Sequence, residues 1–177
     1  MASTQALSRT ATWMSRSTLV ALIAIVAAYA GLWLDPGTAQ QALREMLPGV
    51  SAQGVNSTQL WLGAVLGLIP VIILTIALWE LYTFFALYQR GDAFPPGAGE
   101  RLRRVGVWLI ALAATAFIVR CTASVLFSWH LGDGNRQLAI SISSSDIILL
   151  LFGGLVRMIG QVLLEAGRVA EENRQFV

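Results

Sequence analysis

The chain has 177 residues, 56% hydrophobic and only 12% charged, with a mean hydropathy of +0.67; a water-soluble domain carries roughly 25% charge. That shortfall excludes an ordinary soluble core and points to one polytopic membrane domain. The net charge of +2 is small and there is no lysine, so the placement of the arginines matters more than their sum.

Residues 1–17 are polar and rich in Ser and Thr, with Arg9 and Arg16. They read as a cytoplasmic N-terminal segment, mobile or folded as a short interfacial helix around Trp13. A first span is expected over residues 18–34, at the short end for a crossing helix. Arg16, the apolar run and Ala28-Tyr29-Ala30 also fit the pattern of a signal peptide, which stands as the alternative for this segment. Asp35-Pro36-Gly37 is a turn, and Thr38 to Leu47 predicts a short amphipathic helix with Ala39, Ala42, Leu43 and Met46 on one side. Pro48 and Gly49 end it.

The second span is expected over residues 60–82, with Tyr88 as the further limit of its helix. Gly63 and Gly67 form a small-xxx-small pair suited to close helix contact. Pro70 removes a backbone donor inside it. Trp79, Tyr82 and Tyr88 crowd its far end as an aromatic belt does. A basic loop follows, with Arg90, Arg101, Arg103 and Arg104. The third span is expected over residues 105–129 and the fourth over 138–164. The turn between them is short enough to make them an antiparallel hairpin. The membrane domain thus covers residues 18–167, and residues 168–177 form a cytoplasmic tail.

Eight of the twelve arginines lie in the N-terminal segment, the second loop and the tail. The positive-inside rule then places both termini and the second loop in the cytoplasm. The fold class is all-α: four transmembrane helices in an antiparallel bundle.

Four charges fall inside the predicted spans: Glu80, Arg120, Asp146 and Arg157. Asp146 and Arg157 are eleven residues apart, which returns a helix to nearly the same side. Gly153 and Gly160 share that face and read as packing positions. A charge in lipid is costly, so this face is expected to meet protein or water. Counting depth along each helix at about 1.5 Å per residue matches Arg120 with Asp146 near the outer end and Glu80 with Arg157 near the inner end. These pairs read first as devices that set helix register. A polar path through the bundle, helped by Ser141, Ser143, Ser144 and Ser145, is the other reading. Both place the fourth helix at the centre, clamped to the second and the third.

The chemistry inventory is sparse. His130 and Cys121 are the single His and Cys; they leave no metal site and no internal disulfide. No phosphate loop or dinucleotide fingerprint is present. The expectation is a non-enzymatic protein without cofactor or metal and without direct nucleic-acid binding.

Two segments carry a likeness. One is Phe94-Pro95-Pro96 followed by Arg101-Leu102-Arg103-Arg104-Val105-Gly106. The other is Gly160, then Glu165-Ala166-Gly167-Arg168 and Glu171-Glu172-Asn173, ending at Val177. Together they resemble the bacterial domain-of-unknown-function 2975 family, small proteins with four membrane helices. The family tail usually reads Glu-Glu-Asn-Asp, and here Arg174, Gln175 and Phe176 depart from it. The resemblance implies a bacterial inner-membrane location and no settled activity. Some members lie beside the gene of a small helix-turn-helix regulator.

The leading expectation is a membrane partner in regulation or stress sensing. Its docking surface would be the basic loop (Arg90, Arg101, Arg103, Arg104) together with the tail residues Glu165, Glu171, Glu172 and Asn173. Its partners would be the lipid bilayer and a soluble cytoplasmic regulator. The alternatives are a transporter or channel component, and a structural subunit of a homo-oligomer or larger membrane complex.

Overall fold

The structure, a computed structural model, describes residues 2–35, 37–39, 41–42, 57–89, 95–128 and 143–175. Four long helices run through it: α1 (Ala2–Leu34), α2 (Ser57–Tyr88), α3 (Ala98–Ser128) and α4 (Ser144–Gln175). Each is long and apolar enough to cross a membrane. Their outward surfaces carry Val20, Ile23, Trp61, Ile72, Ile118, Leu151, Phe152 and Met158 in exposed positions. In lipid such surfaces need no further cover, because hydrocarbon is as apolar as the side chains. The protein is a multi-pass, four-helix membrane bundle.

α1 begins sixteen residues before the expected span, and the polar segment is helical with it. Its hydroxyls are satisfied inside the helix: Thr12 donates to the Ser8 carbonyl at 2.8 Å, and Thr18 to the Met14 carbonyl at 2.8 Å. Ser and Thr that read as loop can bond back one turn in this way. Ala11, Ser15 and Thr18 recur at helical spacing and are buried. Thr10, Ala11 and Met14 line one cleft with Phe84, Phe85 and Tyr88 of α2. The aromatic end of α2 thus gives the polar stretch a surface to pack on.

After α1, the Asp35 carboxylate accepts hydrogen bonds from the Thr38 hydroxyl at 2.6 Å and from the Gly37 and Thr38 N–H groups at 3.2 Å each. The Thr38 hydroxyl first, then those backbone donors, hold its pKa below the usual carboxylate range. Residues 37–39 and 41–42 are helical; Leu43 and Met46 lie outside the described residues.

Among the described residues, extensive contacts join only neighbours in the chain: α1 with α2, α2 with α3, and α3 with α4. Each pair is antiparallel. Tyr29 donates to the Ala64 carbonyl and lies over Gly67, where a Cβ would come 2.9 Å from the Tyr29 hydroxyl. Gln59 reaches the Leu126 carbonyl at 3.2 Å, tying the start of α2 to the end of α3. The expected central place of α4 is therefore corrected. α4 lies at the edge, and α3 sits between α2 and α4.

The α3–α4 seam is the closest in the molecule's described part. A Cβ on Gly99 would lie 2.5 Å from the Leu164 nitrogen, one on Gly106 2.6 Å from the Gly153 carbonyl, and one on Gly160 2.8 Å from the Arg103 Cα. Positions 99, 103, 106 and 110 on α3 meet 164, 160, 157 and 153 on α4. That alternation of three and four is an antiparallel heptad seam, and glycine at every other position lets the backbones touch.

Candidate functional site

α3 starts where Pro95-Pro96-Gly97 turns the chain. Gly97 has φ +84°, a conformation open to glycine at little cost. Its carbonyl accepts from the Arg101 N–H at 3.1 Å and so opens the helix. The expected loop therefore ends earlier than predicted, and Arg101, Arg103 and Arg104 lie on the first two turns of α3.

This changes how the charges combine. Glu100 accepts from Arg103 at 3.0 and 3.1 Å and from Arg104 at 3.1 Å. Arg101 and Arg104, three residues apart on one face, both reach Glu80 of α2, at 2.8 and 3.7 Å. The expected Glu80–Arg157 pair is overturned. Counting along the helices matched the two in depth, but the extensive contacts of α4 are with α3, and Glu80 pairs with α3 instead. Arg157 instead sits over Gly106 in the α3–α4 seam, with an exposed side chain.

The Glu80 carboxylate is only 12% exposed, whereas Arg101 and Arg104 are 39% and 51% exposed. Removing the anion leaves two cations that can reach water or headgroups. Removing both cations strands a buried anion. Arg101→Leu with Arg104→Leu is expected to cost about 3 kcal/mol, and Glu80→Leu about 1 kcal/mol. Unfolding in detergent micelles reads this order, and equal costs would refute it.

At the other end of the seam, Arg120 donates to the Asp146 carboxylate across α3 and α4. Asp146 also accepts from the Ser143 N–H at 3.0 Å, and the Ser143 hydroxyl accepts from the Ser145 N–H at 3.3 Å. Ser143-x-x-Asp146 is thus a capping box that opens α4 at Ser144. The expected start at 138 lies outside the described residues. One carboxylate both caps a helix and holds its neighbour.

Gly153 and Gly160 pack on α3, and Gly67 packs on Tyr29 of α1; Gly63 is half-buried one turn before it. Gly99 and Gly106, missed as packing positions, show the same seven-residue spacing as Gly153 and Gly160, and that spacing could have revealed them. At the end of α4, Arg168 bonds Glu165 at 2.5 Å and Glu172 at 3.4 Å. These one-turn pairs carry the expected tail on as helix to Gln175. Arg90 and the Asn173 side chain lie outside the described residues.

A groove of about 490 Å³ lies where the start of α3 meets the end of α4. Pro95, Pro96, Gly97 and Gly99 form one wall, and Leu163, Leu164, Gly167, Arg168 and Glu171 the other. The two segments that carry the family likeness, about 70 residues apart in the chain, therefore face each other. The groove has a rigid proline-glycine rim, an apolar floor and one side chain of each charge. Such a surface can hold a short peptide segment or a loop; it offers no nucleophile with a base beside it.

No curated protein and no solved structure matches this chain. The family model described as a protein of unknown function (DUF2975) matches residues 17–175, which takes in the second half of α1, almost all of the rest of the described chain and both walls of the groove. The chain belongs to that family.

Proposed function

We propose that this is a non-enzymatic membrane protein of the bacterial inner membrane that docks a soluble cytoplasmic regulator. The observation that carries the reading is the meeting of the two family segments in one groove, with Arg168 and Glu171 on its wall. Membrane-embedded helices fix the groove at the bilayer surface, so a bound regulator is held there and kept from its other targets. Both termini and the groove face the cytoplasm in this reading, as the arginine distribution supports.

The test uses the full chain in its membrane. A reporter at residue 97 should be cytoplasmic. A soluble regulator of the small helix-turn-helix type should co-purify with the wild-type chain. Arg168→Glu with Glu171→Arg should weaken that association about tenfold, as loss of two rim charges does. A reporter outside the cell at residue 97, or a regulator bound equally by the charge-reversed chain, would sink the reading.

A further inference from the structure

Arg157 is a charge inside α4 that no described carboxylate balances. It stands on α4 with its backbone against Gly106 and its side chain exposed. Among the described residues no carboxylate bonds it. Glu80 is taken by Arg101 and Arg104, Glu100 by Arg103 and Arg104, Asp146 by Arg120, and Glu165 by Arg168. An unbalanced guanidinium inside a span must find an anion or reach the headgroups.

Its depth says which. Arg103 packs beside Gly160, and Arg157 is three residues before Gly160 on α4, about 4.5 Å deeper in the membrane than that charged layer. This is within the reach of a snorkelling arginine. The layer itself holds Arg101, Arg103 and Arg104 against Glu80 and Glu100, so it is already positive before Arg157 is added. In the heptad seam, positions 103 and 157 are related by the local two-fold of an antiparallel pair, so both emerge on the same side of the hairpin. On the side of α4 that carries Arg157 the exposed surface is apolar, with Met158 at its flank and Leu150 and Ile147 toward the membrane interior.

We propose that the α3–α4 seam holds an anionic phospholipid. Arg157 and Arg103 receive the phosphate, and the acyl chains lie along α4 below it. The inference is independent of the regulator-docking reading. A molecule with one anionic group at headgroup depth and two long alkyl chains matches both halves of this surface. A soluble anion matches only the first.

Native mass spectrometry of the full chain in detergent tests this, with phosphatidylglycerol or phosphatidylcholine of the same acyl length as probe. The wild type should retain phosphatidylglycerol about fivefold better, and Arg157→Gln should lose that preference. Arg157→Lys should keep part of it, and Arg16→Gln, on α1, all of it. Equal retention of both lipids by the wild type overturns the proposal, and this result needs no variant to fold. So does displacement of the lipid by equimolar inorganic phosphate, which would make the seam a free-anion site. Conversion of a dimer to a monomer by Arg157→Gln with lipid retention unchanged would assign the arginine to a second copy, and would also overturn it.

Discussion

Gly106→Ala should destabilise the folded protein by about 3 kcal/mol, the upper end of the ordinary overpacking cost. The added methyl would lie 2.6 Å from the Gly153 carbonyl and equally near the Arg157 Cβ. Neither is the free end of a flexible side chain, so the two helices must separate along the seam. Separation also loosens Gly99 against Leu164 and Gly160 against Arg103, because all three contacts share one register. Gly154→Ala makes the same chemical change one residue past Gly153, where nothing lies within 4 Å of the new methyl. There the better helix propensity of alanine gives a neutral or stabilising effect of up to about 1 kcal/mol. Thermal or denaturant unfolding in micelles compares the two directly. A Gly106→Ala protein as stable as Gly154→Ala would show that the seam is looser than described.

Asp146→Ala should cost about 3–5 kcal/mol, because it strands Arg120 inside the bundle. It also removes the acceptor for the Ser143 N–H, a cap worth about 1 kcal/mol. The double change Arg120→Leu with Asp146→Leu should cost less than Asp146→Ala alone, since no charge is left unpaired. Exchanging the two charges, Arg120→Asp with Asp146→Arg, should restore the pair but not the cap. The exchanged protein is therefore expected to recover most, not all, of the lost stability. Unfolding midpoints of the four variants order themselves accordingly: wild type, exchange, double leucine, single alanine. A single alanine variant with wild-type stability would remove the pair from the account of how α3 and α4 keep register.

The outcome at Glu80 shows how far depth counting reaches. Residue number along a helix gives depth at about 1.5 Å per residue, and that count set Glu80 and Arg157 at matching depth. Depth says nothing about which helices are neighbours. Arg101 and Arg104 lie at the same depth, and the short connection from α2 to α3 brings them next to Glu80. Reading residues 98–104 as loop hid that these two arginines share one face of a helix. Arg120 and Asp146 were matched by the same counting, and there the short turn between their helices also supplied the neighbour relation.

Residues 2–17 make the same point from the other side. Ser and Thr lower local hydropathy, so the stretch reads as polar and separate. Only the aromatic end of α2, placed alongside by the antiparallel crossing, makes Ala11, Ser15 and Thr18 into a buried stripe.

What the sequence by itself determined is the solvent and the number of crossings. Long apolar runs with few charges have one stable setting, helices across a bilayer, because lipid leaves every backbone group to be satisfied within its own segment. It also determined the glycine stripe on α4, through helical periodicity. The tertiary structure decided which faces meet: α4 at the edge and not the centre, Glu80 with α3 and not α4, and two distant family segments on opposite walls of one groove. The physical reason is that association of helices in lipid rests on close packing and polar contacts between particular faces, not on burial of apolar area. Hydropathy registers area and is blind to that choice.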